Sequence, residues 1–130
     1  MKIYVAASSA ESESSRVDTM IGALRRMGHE VTSRWPAIVL AVANDSELSM
    51  RNVVRSVMSD VSDIRRSDAV VFLSPPDGLH THGGFWEIGF AHGIGKPVFS
   101  AGSFASIFLA TTEHYDTDAG LRDALERCVR

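Results

Sequence analysis

Short apolar runs of the kind found in buried strands alternate along this chain with longer segments in which apolar residues recur at helical spacing. The strand-like runs extend over Lys2 to Ala7, Glu30 to Trp35, Ala69 to Leu73 and Pro97 to Ser100. Strands that alternate with helices favour parallel pairing, because a parallel connection needs a long crossover. The order of elements therefore predicts an α/β protein built on a parallel sheet with helices on both faces.

Segments with helical periodicity lie between these runs. Gly28 ends the first of them, and the pattern Asn44-x-x-Glu47 is typical of a capping box before the second. The chain thus predicts four helices, which cover residues 17–27, 48–66 and 84–94 and a stretch that begins near Asp118. The interval from Pro36 to Ala43 is apolar without a clear period, so we expect a loop that covers a site. All elements fit one domain over residues 1–130.

The overall charge and the distribution of apolar residues argue against several classes of function. A formal net charge of −3 over 130 residues gives no general attraction to duplex nucleic acid or to an anionic membrane. No apolar run approaches the roughly 20 residues that a membrane-spanning helix needs, and MKIYVAASS leads directly into a strand pattern rather than a signal peptide. The single cysteine, Cys128, excludes an internal disulfide, and its helical spacing from Leu121 and Leu125 places it in the expected core. We therefore expect a cytoplasmic protein.

Two loops are expected to carry the ligand site. In open parallel sheets, ligands bind beyond the carboxyl ends of the strands, where the strand order reverses. The loop AASSAESES follows the first strand, and SPPDGLHTHGG follows the third, where two prolines and Asp-Gly end the strand. The second loop leads directly to GGFWEIGFAHGIGKP, which contains Glu87. Glu87 is therefore the first candidate for a functional carboxylate.

Glu87 admits a structural and a catalytic interpretation. In the first turn of a helix a carboxylate gains about 0.3–1 kcal/mol from the helix dipole, which alone explains many such residues. The same dipole would keep Glu87 ionised, and the neighbouring Gly83 and Gly84 would let a ligand approach the backbone closely. An ionised carboxylate beside an open pocket suits covalent attack on an electrophilic sugar carbon.

Three segments of the chain resemble the nucleoside 2-deoxyribosyltransferases and the related hydrolases of deoxynucleoside 5'-monophosphates. These segments are KIYVAASS, SDVSDIRRSDAVVFLSPP and GGFWEIGFAHGIGKPV, and they cover most of the chain in the family's order. The resemblance implies a flavodoxin/Rossmann-like doubly wound sheet of four to five parallel strands. It also implies cleavage of an N-glycosidic bond by a retaining mechanism, with the sugar passed to another base or to water and no cofactor required.

The resemblance assigns catalytic roles to three residues. Glu87 matches the family nucleophile, Tyr4 a tyrosine that positions this carboxylate, and Asp60 an aspartate that helps to activate the departing base. Each has a structural alternative: Tyr4 as an ordinary strand aromatic, and Asp60 as a solvated helix charge that is easily confused with Asp63 or Asp68. The spacing of eight residues between Asp60 and Asp68 selects Asp60.

Further positions would contact the substrate in this family. They are Ser8, Ser9, Thr81, Gly83 and Gly84. A hydroxyl at Thr81, where the transferases carry an aspartate, favours a 5'-monophosphate over a nucleoside. The acidic first loop favours neither substrate, although Arg16 offers a positive charge for a phosphate.

The remaining predictions concern metal, partner subunits and packing. His80 and His82 are too few to hold a metal ion, so none is expected. In the family a neighbouring subunit closes the site, which here implicates Ser106 within residues 103–108 and a homo-oligomer. The apolar residues around Ser106 suit either an interface or a core, and Trp86 is expected in the core.

A function without turnover stays open at this point. The same fold serves as a nucleotide-binding or sensing module in other proteins, because a fold does not dictate one chemistry. The joint presence of Tyr4, Asp60 and Glu87 favours the enzyme.

Overall fold

A computed structural model describes residues 1–37, 50–76, 82–104 and 106–129 of the chain. Its core is a five-stranded parallel sheet in the order β2-β1-β3-β4-β5. The strands are β1 (Lys2–Ala7), β2 (Glu30–Val31), β3 (Ala69–Ser74), β4 (Val98–Gly102) and β5 (Glu113–Tyr115). The helices are α1 (Ser14–Arg26), α2 (Met50–Arg66), α3 (His82–Gly93) and α4 (Asp118–Val129), with short 3-10 segments over Glu11–Glu13 and Ile107–Thr111. The predicted α/β class and its parallel sheet are confirmed.

The helices cover the sheet from both sides. On the first face, α1 and α4 pack against the alternate residues Ile3, Val5, Val71 and Leu73 of the two central strands. On the second face, α2, α3 and the 3-10 segment Ile107–Thr111 pack against the residues in between, chiefly Tyr4, Ala6, Val70 and Phe72. The period-two alternation of strand side chains thus divides the core into two halves. Only the second face receives the side chains of the predicted catalytic residues.

Strand β2 is shorter than the sequence predicts, since it ends at Val31 and not at Trp35. The hydroxyl of Ser33 takes over the pairing: it accepts from the N–H of Val5 at 2.6 Å and donates to the carbonyl of Val5 at 3.1 Å. The indole N–H of Trp35 donates to the same carbonyl at 2.7 Å. Because these side chains take the place of backbone hydrogen bonds to Val5, the chain after Val31 leaves the sheet, and residues 35–37 are helical.

Three other predictions about local structure need correction or lie out of reach. The interval from Pro36 to Ala43 is not a loop at its start, since Pro36 lies in the helical residues 35–37, where a first-turn proline costs no hydrogen bond. Its continuation and the capping-box pattern Asn44–Glu47 lie outside the described residues. Cys128 is exposed rather than in the core, because Leu121 and Leu125 carry the buried side of α4. Among the described residues, no helix is long and apolar enough to cross a membrane.

Candidate active site

The strand order reverses between β1 and β3, and three predicted residues meet beside this point. Tyr4 extends from β1, Asp60 from α2 and Glu87 from α3, all on the second face. The three side chains interact: the hydroxyl of Tyr4 lowers the pKa of both carboxyls, and each carboxyl raises the pKa of the tyrosine. The fold therefore brings together residues that are 83 positions apart at most in the sequence, from Tyr4 to Glu87.

Tyr4 is fully buried, yet its hydroxyl has no hydrogen-bond partner of good geometry among the described residues. Glu87 and Asp60 both act on this hydroxyl, since each carboxyl raises the pKa of the tyrosine. Burial, followed by the charge of Glu87 and then of Asp60, raises the pKa of Tyr4 far above its usual range. A neutral buried hydroxyl without a partner is costly. It is therefore a candidate to hydrogen-bond one of the carboxylates or a ligand atom.

Glu87 is the more perturbed of the two carboxyls. Burial, and to a lesser extent the charge of Asp60, raise the pKa of Glu87 to about 8 against the opposing effect of Tyr4. The expectation that the helix dipole keeps Glu87 ionised is wrong for the ligand-free protein. Helix α3 begins at His82, so Glu87 lies in its second turn, where the dipole has faded and burial dominates.

Asp60 forms the second half of the carboxyl pair. Burial and the charge of Asp63 raise its pKa to about 6, while Tyr4 and Arg34 lower it. Its Oδ1 atom is buried without a partner among the described residues. The two alternatives have other duties: Asp63 is engaged by Arg34 and Arg66, and Asp68 accepts the backbone N–H of Lys2 at 2.7 Å. Of the three aspartates, Asp60 alone is coupled to both Tyr4 and Glu87.

Two carboxyls whose pKa values are pushed upwards and apart can divide the tasks of nucleophile and acid. Burial raises the pKa of Glu87 further than that of Asp60, so Glu87 is the more basic carboxyl of the ligand-free pair. Attack by Glu87 requires the proton of this carboxyl to be elsewhere. The arrangement is thus suited to a reaction in which ligand binding moves the proton towards Asp60.

The predicted substrate-binding residues are placed unevenly. Ser8 is buried just beyond β1, where its hydroxyl accepts the N–H of Ala10 at 3.2 Å, whereas Ser9 is exposed. Gly83 faces open space, but a Cβ on Gly84 would lie 2.5 Å from Cε2 of Phe72. Gly84 therefore has a packing reason to be glycine. Thr81, His80 and the side chain of His82 lie outside what the structure describes.

Arg16 is not available to a phosphate, contrary to the possibility that the sequence left open. Its Nε and Nη2 donate to both carboxylate oxygens of Asp118 at 2.7 Å, and Nη1 and Nη2 also donate to the carbonyls of Ser74 and Ala101. The remaining Nη1 direction faces Glu13 at 3.5 Å. All five N–H groups of the guanidinium are thereby directed to protein acceptors. Gly102, with φ of 107°, leaves the space that this clamp needs.

Trp86 is half-exposed, at 51%, and not in the core. Its ring stacks on that of Phe90 one turn later, with centroids 5.6 Å apart. The guanidinium of Arg65 lies over the Phe90 ring. Ser106 caps the 3-10 segment Ile107–Thr111 by accepting the N–H of Phe108. Its apolar neighbours Phe104, Ile107 and Phe108 are exposed, while Leu109 is buried.

One functional candidate escaped the sequence analysis. Arg34 binds the buried carboxylate of Asp63 and lowers the pKa of Asp60, yet nothing in the order Ser33-Arg34-Trp35 marks it in advance. The only signal is that Asp60 and Asp63 are three positions apart on one helix, where a cation between them is expected to be stabilising.

A coupled carboxyl pair with a buried tyrosine hydroxyl, at the switch point of a doubly wound sheet, is typical of α/β proteins that act on small ligands. The family model of the nucleoside 2-deoxyribosyltransferases matches residues 3–120. The chain therefore belongs to the nucleoside 2-deoxyribosyltransferase family.

Solved structures agree on the fold. The 2-deoxyribosyltransferase of the psychrotolerant bacterium Bacillus psychrosaccharolyticus superposes with a TM-score of 0.76 at 21% identity, covering 97% of this chain and 90% of that one. The CMP N-glycosidase BcmB of Clostridium botulinum superposes with a TM-score of 0.61 at 18% identity, covering 97% and 99%. No curated protein sequence matches the chain. Membership of the family supports deoxyribosyl transfer or N-glycosidase activity.

Proposed function

We propose that this protein cleaves the N-glycosidic bond of a (2'-deoxy)nucleoside or its 5'-monophosphate, with Glu87 as the nucleophile. The sugar passes to a second base or to water. The two structural neighbours are a deoxyribosyltransferase and a CMP N-glycosidase, so both outcomes are represented among proteins of this fold. The observation that carries the proposal is the meeting of Tyr4, Asp60 and Glu87 on one face of the sheet.

The first step is displacement at the anomeric carbon. A carboxylate oxygen of Glu87 forms a bond to this carbon while the bond to the base nitrogen breaks, and its electron pair leaves with the base. Asp60 supplies a proton to the departing base, and the hydroxyl of Tyr4 holds the Glu87 carboxylate. A water molecule or an acceptor base then attacks the same carbon and gives a proton to Asp60, while the ester bond breaks and its electron pair returns to the Glu87 carboxylate. Two displacements at one carbon give overall retention of configuration.

The test is a panel of nucleosides and 5'-monophosphates, each incubated with and without a free acceptor base and followed by chromatography of the released base. Base release or exchange is expected for the wild-type protein and is expected to vanish in Glu87→Gln. Tyr4→Phe and Asp60→Asn should slow release by about 10- to 10⁴-fold, the range of one acid or positioning group. The exposed Glu30, on β2, provides the control substitution Glu30→Gln.

Two results would overturn the proposal. Near-normal turnover in a folded Glu87→Gln protein would exclude the nucleophile. Tight binding of a nucleotide with no base release across the panel would favour a binding module of the same fold. Because Thr81 lies outside the described residues, the panel itself decides between nucleosides and monophosphates.

We also propose that the protein forms a homo-oligomer through the outer side of its second face. Apart from Met1, every exposed large apolar side chain of the described residues belongs to an element of this face or to the loop beside it. These residues are Val54, Val57, Met58, Trp86, Ile94, Phe104, Ile107 and Phe108. So one-sided a distribution is typical of an interface rather than of scattered surface residues.

Trp86 precedes Glu87 directly, so a second copy bound here would lie next to the catalytic carboxyls. Ser106, between exposed apolar residues, is the candidate that enters the neighbouring site. Met58→Asp should convert the oligomer to monomer in light scattering, because a charge at an apolar interface is left unpaired. Thr19→Asp on the exposed side of α1 is the control. A wild-type monomer at micromolar concentration would contradict the proposal.

A further inference from the structure

Asp63 is a fully buried carboxylate whose partners come from a distant part of the chain. Its Oδ1 accepts from Nε and Nη2 of Arg34, at 2.9 and 2.8 Å, and from Nη2 of Arg66 at 2.9 Å. Its Oδ2 accepts the backbone N–H of Arg34 at 3.0 Å. Four donors thus meet on one carboxylate, and Arg34 is fixed there by both its backbone and its side chain.

This pairing is made possible by the early end of β2. The hydroxyl of Ser33 replaces backbone pairing to Val5, so the next residue turns out of the sheet and towards α2. The hydroxyl of Thr32 also reaches α2, where it donates to the carbonyl of Asp63 at 3.0 Å. The segment that follows β2 is thus fastened to the turn of α2 that carries both Asp60 and Asp63.

Asp60 lies one turn before Asp63 on α2, and charged or titratable groups from several elements of the described residues act on it or on its partners. Asp63 lies on its own helix, Tyr4 on β1, Glu87 on α3 and Arg34 on the segment after β2. Arg34 is the only cation of this set. Arg66 binds the same Oδ1 of Asp63, but it does so from the C-terminal side of that residue, six positions after Asp60.

We propose that Arg34 is a positioning residue for Asp60: held on Asp63, one helical turn after Asp60, its guanidinium supplies the positive charge that favours the ionised form of the Asp60 carboxyl. Asp63 provides the fixed anchor and Arg34 the charge that acts on Asp60. The role in turnover rests on the proposed function, whereas the effect on Asp60 is a property of the free protein.

The first experiment therefore needs no turnover. The carboxyl carbon of Asp60 is titrated by ¹³C NMR in the wild-type protein and in Arg34→Gln, Arg34→Lys and Arg66→Gln. We expect a wild-type midpoint near 6. Removal of the Arg34 charge should raise it by about 0.5–1 pH unit, less than for a buried pair because the Arg34 side chain is 56% exposed to solvent.

Arg66→Gln is the matched control, because it removes a guanidinium of similar exposure, 47% against 56%, from the same oxygen of Asp63. It should leave the titration midpoint of Asp60 unchanged. Arg34→Lys, which keeps a positive charge, should show at most half of the shift seen in Arg34→Gln. Equal shifts in the two Gln variants, or no shift in Arg34→Gln, would overturn the inference. Thermal denaturation identifies any variant that does not fold. If Arg34→Gln is unfolded, Arg34→Lys takes its place in the comparison with Arg66→Gln.

The kinetic experiment follows the pH dependence of kcat/KM for a nucleoside substrate. In Arg34→Gln the limb on the acidic side should move to higher pH by the same interval as the NMR midpoint, and in Arg66→Gln it should not move. If the wild-type protein releases no base, the proposed function fails while the NMR result still stands. If it does and both Gln variants give superimposable profiles, the role of Arg34 fails alone.

Discussion

Replacing the proposed nucleophile by its neutral amide should make the folded protein more stable above neutral pH while it abolishes base release. The folded state holds a proton on Glu87 up to a pKa of about 8, whereas an unfolded chain releases it at the ordinary 4.5. Between these values the unfolded state binds fewer protons than the folded state. The free energy of unfolding therefore falls as the pH rises from about 4.5 to 8 and is constant beyond.

The size of the effect follows from the same interval. A difference from 4.5 to about 8 corresponds to an upper limit of about 5 kcal/mol, since each unit of pKa is worth about 1.4 kcal/mol. Glu87 is not completely shielded from solvent, so part of this penalty is screened and we expect about 1–3 kcal/mol at pH 8.5. For a domain of 130 residues this is a rise in Tm of about 3–12 °C in Glu87→Gln.

The assay is thermal and urea denaturation of both proteins from pH 4 to 9. The difference in stability between Glu87→Gln and wild type should be near zero at pH 4, grow as the pH rises and level off above 8. Glu30→Gln, an exposed substitution on β2, should give a small difference at every pH. If Glu87→Gln is no more stable than wild type at pH 8.5, Glu87 is not held protonated by burial and the reasoning fails.

Three further predictions follow from the site and the packing around it. First, a plot of kcat/KM against pH should be bell-shaped, with limbs near pH 6 and 8. Asp60→Asn should lose the fall on the alkaline side and keep one rising limb below pH 8, because the charge of Asp60 raises the pKa of Glu87. An unchanged bell in this variant would contradict the pairing of the two carboxyls. Second, Arg16→Gln should cost about 1–3 kcal/mol in urea denaturation, since it leaves Asp118 without its partner, yet leave the ratio of kcat/KM for a nucleoside and its monophosphate unchanged; a changed ratio would mean that Arg16 does meet the phosphate. Third, Gly84→Ala should destabilise by about 1–3 kcal/mol through its clash with Phe72, whereas Gly83→Ala should stabilise by up to about 1 kcal/mol, and similar melting curves for the two variants would refute the packing argument.

The alternation of strands and helices was sufficient to predict the sheet, because apolar strands and periodic helices leave few ways to pair. It also predicts that the loops after β1 and β3 adjoin the site, and most of the second loop, residues 77–81, lies outside the described residues. The local end of β2 could not be predicted, since it depends on the hydroxyl of Ser33 competing with a backbone ladder for Val5. The spacing of apolar residues, with a period of two in strands or 3.6 in helices, does not indicate where a side chain replaces a backbone hydrogen bond.

The ionisation of the site carboxyls and the pairing of Arg16 could not be predicted from the sequence for a related reason. The ionisation of Glu87 was judged from its distance to a helix start, but it depends on burial by residues that are remote in the chain. The availability of Arg16 likewise depends on a residue 102 positions away, Asp118, which binds its guanidinium. Trp86 was expected in the core because it is aromatic, and its exposure depends on which side of α3 the sheet occupies.

The clamp between Arg16 and Asp118 joins groups that are 102 residues apart in the chain. During synthesis, Arg16 of α1 leaves the ribosome long before its carboxylate partner Asp118 exists, so the two hydrogen bonds between these side chains cannot form until α4 is made. Contacts of such separation form late, because the entropy of closing the long loop is lost before they can stabilise anything. The clamp that ties α1 to the carboxyl ends of β3 and β4 is therefore completed only after α4, the last helix of the described chain, has docked.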